Sequence, residues 1–307
     1  ATRCRPQFFE AGTWFIFTLL LRRTLVLQQL PHQFVFVFLV GAVTISLSPL
    51  TTRSFRRNQF KMEVQSQVAV QIFIPCFVDQ LYPTVAFNMV KVLRKAGCLV
   101  TYNSNQTCCG QPAFNAGFWN ESKDICAKFI KDFSGPGYIV APSASCVGFV
   151  KNYYNTLFDN SSLHNDVKNL GENIFEFSDF LVNVLKMDDF GAVLPGLATY
   201  HDSCAALREC KIKEEPRKLL ANVKGLQLTE MNDVETCCGF GGTFAVKFEP
   251  ISIAMADQKV ANATATGADY LISTDMSCLM HLDGYIRNKQ AAIRVMHIAD
   301  VLASGWE

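Results

Sequence analysis

The chain has 307 residues, half of them hydrophobic and 18% charged, with a formal net charge of +1. This composition excludes a disordered polyelectrolyte and leaves material for one large or two medium-sized cores. The charge is unevenly spread, +7 over residues 1–61 and −6 over the rest, and an acidic body without a basic aromatic patch argues against nucleic-acid binding.

Residues 1–61 are Arg-rich and carry short apolar runs, WFIFTLLL and FVFVFLVGAVTI. The second run follows Gln28, Gln29, Pro31, His32 and Gln33, which leaves about 14 apolar residues where a membrane span needs about 20. Two readings of this segment stand side by side. Arg53, Arg56, Arg57 and the stretch TISLSPLTTRS suit an organellar transit peptide, whereas Met62 suits a true start preceded by an upstream translated stretch. Either way the segment is set apart from the fold, and the location expected is the cytoplasm, or an organelle matrix if the leader is a transit peptide.

From Met62 onward, apolar β-branched runs alternate with helical patterns. VAVQIFIPC, GYIVAPSASC, LATYHDSC and ADYLISTDMSC each read as a buried strand ending at a cysteine. CLVTY and LQLTE are shorter strand-like runs, each followed by a cysteine doublet. PTVAFNMVKVLRKAG, NESKDICAKFIKDF and PISIAMADQKVANATATG have helical periodicity. Strand, cysteine loop and helix in this order predict an α/β fold with parallel sheets, the ligand loops gathering at the strands' carboxyl ends.

The pattern occurs twice. Cys76, Cys108, Cys109 and Cys146 match Cys204, Cys237, Cys238 and Cys278 at offsets of 128, 129, 129 and 132 residues. IFEFSDFLVNVL likewise parallels RVMHIADVLASG. The chain is therefore read as a duplication, with one domain over 62–190 and another over 191–307. Each doublet is followed by glycine, in TCCGQPAFNAGF and TCCGFGGTF. A disulfide between sequence neighbours is strained, so two thiolates at one glycine turn better suit a soft metal centre. Eight of the twelve cysteines fall in this register, which points to reduced thiols in an intracellular compartment. Cysteine count alone leaves zinc and an iron–sulfur cluster both open, and zinc in one half with a cluster in the other is a third arrangement.

The motif Cys–x31–CysCys–x36–Cys, duplicated, resembles the cysteine-rich CCG domain family, whose members include one of the subunits of heterodisulfide reductase and the iron–sulfur subunit of glycolate oxidase. The stretches FIPCFVDQLYP, TYHDSCAALRE, ETCCGFGGTFAVKF and TGADYLISTDMSCLMHLDGY are most similar to its lactate-utilisation protein A branch, over Met62 to the C-terminus. That resemblance implies an iron–sulfur electron-transfer subunit of an oxidoreductase that converts L-lactate to pyruvate. Its implied partners are a ferredoxin-type iron–sulfur subunit and a third lactate-utilisation protein. The implied ligands are the eight cysteines above. Reductase-type relatives end each motif with Cys-x-x-Cys, but Phe149 and His281 stand at those positions here, so four-cysteine 4Fe–4S clusters are the simpler expectation. Glycolate, a heterodisulfide or a zinc-bound scaffold role are the alternatives.

His281, three residues after Cys278, could reach a metal held there, or be a helix-surface histidine. His201, in TYHDSC, could bond a cluster sulfur or the backbone. Arg208 and Glu209 are expected as an exposed charge pair, and Cys98, Cys126 and Cys210 as packing residues. CGFGG matches neither a dinucleotide nor a P-loop fingerprint, and no flavin or nicotinamide signature is present, so catalytic residues are not assigned.

Overall fold

In the computed structural model the described residues are 67–306, and the reading of residues 1–61 as a leader lies outside them. In the first half, β1 (Ala69–Ile72) leads into α1 (Cys76–Leu81) and α2 (Pro83–Lys95). β2 (Leu99–Tyr102) precedes α3 (Gln111–Ala116) and α4 (Trp119–Asp132), and β3 (Tyr138–Ala141) precedes α5 (Ala144–Phe158) and α6 (His164–Asn173). β4 (Ile174–Glu176) ends in the short α7 (Phe177–Asp179), which widens into a π-helical turn over Phe180–Val184.

The second half repeats the plan. β5 (Val193–Tyr200) is followed by a π-helical turn at Ala206–Cys210 and by α8 (Glu214–Ala221). β6 (Lys224–Leu228) precedes α9 (Thr243–Lys247) and α10 (Glu249–Thr264). β7 (Tyr270–Ser273), α11 (Met276–Lys289), β8 (Arg294–His297) and α12 (Ile298–Leu302) complete it.

Both sheets are four-stranded and entirely parallel, in the orders β2-β1-β3-β4 and β6-β5-β7-β8. Strand order reverses between β1 and β3, and between β5 and β7, the place where loops after the carboxyl ends diverge and leave a crevice. Corresponding backbone bonds establish the register between halves: Phe73 N–H donates to Val140 O at 3.0 Å, and His201 N–H donates to Ile272 O at 2.8 Å. The cysteines after β1, β3, β5 and β7 are not loop residues as expected. Two or three residues follow each strand, and Cys76, Cys146, Cys204 and Cys278 lie on the first turns of the helices beyond.

The two sheets share one core. Val70, Ile72, Phe177 and Phe180 from the first half pack in the same cluster as Tyr200, Leu219, Ile272 and Ile298 from the second. Phe190 and Ala192, on the connecting segment, are buried in that cluster too. Each large apolar side chain so buried contributes about 1.5–3 kcal/mol, so the halves hold together as one unit. Polar contacts complete the seam. Ser143 and Asp275 form an antiparallel bridge, and Asp275 accepts from Ser145 N–H at 2.8 Å and from its own helix at Ser277 N–H at 3.1 Å.

Glu176, fully buried at the end of β4, caps α7 by accepting from Ser178 N–H at 2.8 Å and Asp179 N–H at 3.2 Å. It also meets the hydroxyls of Ser178 and, across the seam, Thr274. Burial pushes its carboxyl up to about 7 from the usual 4.5. The folded protein therefore binds this proton more tightly than the unfolded chain. The stabilisation is complete below about pH 4.5 and is lost as pH rises through about 7. Glu176→Gln keeps the shape and cannot ionise. The stability of the wild type relative to Glu176→Gln is expected to fall by up to about 3 kcal/mol between pH 4.5 and pH 8, measured by chemical denaturation at both ends.

Candidate metal centre

Each doublet closes a turn that only glycine fits. Gly110 and Gly239 have φ of 92° and 94°, and a Cβ there would come within 2.8 Å of Cys126 Sγ and within 2.6 Å of Ser252 O respectively. The glycine N–H donates to the first sulfur of the doublet at 3.4 Å in both halves, Gly110 to Cys108 and Gly239 to Cys237. The glycine carbonyl accepts from the next helix, from Ser122 Oγ at 3.1 Å and from Ser252 Oγ at 2.8 Å. The two turns are thus superposable in their bonding as well as in sequence.

The structure brings all eight matched cysteines together in two groups of four. In the first half Cys108 neighbours Cys76 and Cys109, and Cys109 neighbours Cys146. In the second half Cys237 neighbours Cys204 and Cys238, and Cys238 neighbours Cys278. The neighbouring thiols of Cys109 and Cys76 hold the Cys108 thiol down to about 3, and those of Cys204 and Cys238 hold Cys237 down to about 2. The thiols of Cys76, Cys109, Cys204 and Cys238 are pushed up in turn by the same contacts and by burial. Clustered thiols at a strand switch point suggest metal binding, and their softness suits zinc or an iron–sulfur cluster.

Around the first group the wall is apolar and aromatic. Phe73 and Phe129 pack edge to face with centroids 4.8 Å apart, and Tyr154 O–H donates to Cys109 O at 2.7 Å. Cys126, wholly buried, donates weakly to the same carbonyl at 3.5 Å, which agrees with its expected packing role. Around the second group the wall is polar. His201 is fully buried and neither ring nitrogen has a hydrogen-bond partner. One of its nitrogens, Cys238 Sγ and Cys278 Sγ lie within 4.8 Å of one another. Burial, then the neighbouring Lys259 charge, pushes the imidazole down to about 3. Lys259 is itself buried and donates to the carbonyls of Asp233 at 2.6 Å and Val234 at 3.1 Å.

His281 stands instead against Ser252, with Nε2 and Oγ 3.3 Å apart, and its ring lies 5.9 Å from that of Phe240. Phe149, at the matching place, stacks on Tyr153. The expected Arg208–Glu209 pair is replaced by another. Glu209 tucks against Gly148 with one carboxylate oxygen buried and unpartnered, while Arg217 makes two-pronged contacts to Asp202 (3.0 and 2.8 Å) and Glu230 (2.7 and 3.0 Å). Neighbouring residues on a helix point apart, so Arg208 and Glu209 do not face each other. A cavity of about 510 Å³ between α2 and α11, lined by Tyr82, Asp283, Arg287 and Arg294, has no cysteine in its wall and is separate from the thiol groups.

Two tandem parallel α/β units, each closing four thiols around the end of its sheet, define a tandem cysteine-rich domain protein. The model of the cysteine-rich domain family (CCG) matches residues 70–151 and 198–283, and the chain belongs to that family. It is 42% identical over 233 residues to Lactate utilization protein A of Geobacillus thermodenitrificans, covering 76% of this chain and 98% of that protein. It is 43% identical over 235 residues to the protein of the same name from Bacillus thuringiensis, with 76% and 98% covered. Among solved structures, a hypothetical protein from Helicobacter pylori superposes with a TM-score of 0.52 at 9% identity, a likeness of fold alone. The match covers 78% of this chain and about half, 49%, of that one. Among the described residues no helix is long and apolar enough to cross a membrane.

The paired thiols make a chemical prediction for the metal-free protein. At about pH 6, iodoacetamide should modify Cys108 and Cys237, which are thiolate and partly accessible, well before Cys109 and Cys238, which are buried and protonated. Peptide mass spectrometry over a time course reads the order.

Proposed function

We propose that this chain is an iron–sulfur electron-transfer subunit of an oxidoreductase system that converts L-lactate to pyruvate. Each domain, 62–190 and 191–307, would hold one 4Fe–4S cluster through Cys76, Cys108, Cys109 and Cys146 in the first and Cys204, Cys237, Cys238 and Cys278 in the second. The observation that carries the reading is the convergence of four thiols in each half. It is supported by the lactate-utilisation names of relatives that match along almost their whole length.

When bound, such a cluster supplies one-electron redox chemistry. The chain's own residues supply the rest. The cysteines hold the metal, and the glycine N–H groups at 3.4 Å stabilise negative charge on Cys108 and Cys237. The apolar wall of Phe73, Phe129 and Cys126 keeps water from the first centre. Lactate oxidation releases two electrons and two protons, more than one such centre takes up at a time, and the chain carries no flavin or nicotinamide fingerprint. The resemblance to lactate-utilisation proteins implies a ferredoxin-type iron–sulfur subunit and a third protein as the partners in this reading. The helices and strands bury a continuous core of their own, and ligands spread over about 70 residues of such a core favour a redox over a purely structural role for the thiols.

Protein made anaerobically is expected to contain iron and acid-labile sulfide. Cys109→Ser and Cys238→Ser should each remove about half of both, with the other half's centre spared. Stoichiometric zinc with no sulfide would overturn the reading in favour of a zinc scaffold. Loss of growth on glycolate rather than lactate after gene deletion would replace the substrate.

A further inference from the structure

The duplication gives each residue near one centre a counterpart near the other. Phe73 and His201 occupy one equivalent place, fixed by the matching bonds to Val140 O and Ile272 O. Ser122 and Ser252, each bonded to its doublet's glycine carbonyl, bring Phe129 and Lys259 into equivalence about two turns further along their helices. The first half therefore places two phenyl rings packed edge to face where the second places an imidazole and an ammonium.

Phe73 shows that this position is well filled by a hydrocarbon ring with no exposure at all. A histidine in the same place, equally buried, leaves two ring nitrogens without a protein partner. Each unsatisfied buried polar atom costs about 1–3 kcal/mol, so the imidazole is poorly explained as packing. Its surroundings show what it would meet instead: a ring nitrogen and the sulfurs of Cys238 and Cys278 form a triangle with no side above 4.8 Å. An ion within about 2.0–2.3 Å of each of three donors fits inside such a triangle after small rotamer adjustments.

We propose that His201 is a metal-ligating residue, its imidazole nitrogen joining Cys238 and Cys278, so that the second centre is a mixed nitrogen–sulfur site in place of the all-cysteine one, while the first is held by sulfur alone. The inference rests on the reading that the thiol groups bind metal, but not on the metal being part of a redox cluster. His281, three residues beyond Cys278, is engaged with Ser252 and is not the imidazole that faces the sulfurs.

The test uses the full chain, made anaerobically with histidine selectively labelled with nitrogen-15, and pulsed electron paramagnetic resonance of the reduced protein. The expected result is a histidine nitrogen coupling that is lost in His201→Phe and kept in His281→Ala. Coupling absent from the wild type, retained in His201→Phe or lost only in His281→Ala overturns the proposal. His201→Gln serves as a second variant should the phenyl ring disturb folding, and it too should lack the coupling. If no iron–sulfur cluster is taken up, the electron-transfer reading fails by itself. His201 is then read by titrating the metal-free chain with Co²⁺: His201→Phe should weaken binding at the second centre by about tenfold or more, and an unchanged affinity overturns the proposal.

Discussion

Four thiols share each centre, and in a buried place they cannot all ionise unless a cation stands among them. The conflict is eased by unequal acidity: the first thiol of each doublet is held down by its neighbours, whose own thiols are pushed up. A metal entering the centre replaces protons, so loading and proton release are linked. Burial, the glycine turn and the placement of the remaining cysteines on the first turns of helices all serve this arrangement. Helix N-termini present N–H groups and a partial positive charge where negative charge gathers.

The parallel sheet makes the convergence cheap in conformational terms. Its order brings the carboxyl ends of β1 and β3 side by side, with β2 next to β1, so residues about 70 apart in sequence meet without a long ordered loop. The same geometry repeats in the second half. The halves are then joined where β3 and β7 end, through the Ser143–Asp275 bridge and the contact of Glu176 with Thr274. The seam lies beside the helices that carry Cys146 and Cys278 in their first turns.

Much of this was legible in the sequence because a sulfur centre constrains spacing. The duplicated cysteine register, the alternation of strands and helices, and the parallel sheets all follow from periodic patterns that local physics enforces. The exact turn on which a cysteine sits was not legible, since extended residues such as Phe73, Ile74 and Pro75 read as strand although they make no ladder. Nor was the seam, because Glu176 and Thr274 are far apart in sequence and each alone resembles an ordinary cap or turn residue. Aligning Cys76 with Cys204 already set Phe73 opposite His201. What the alignment could not supply was that these side chains turn toward the sulfurs, which depends on the pleat and the register of the neighbouring strand.

The duplication has preserved one set of residues and altered another, and the division is physical. Gly110 and Gly239, where an added methyl group would collide, Ser122 and Ser252, and the eight cysteines fix backbone shape and sulfur position. Phe73 and Phe129 against His201 and Lys259 differ in polarity and charge at little change of path. Lys259 is tolerated because two carbonyls accept from its ammonium, which pairs two of its three N–H donors while its charge faces Cys237 and Cys238. The energy of a charged centre depends on the dipoles and charges around it as well as on its ligands. One sulfur scaffold, copied, can therefore carry two chemically distinct centres, and the difference is written in the residues behind the cysteines.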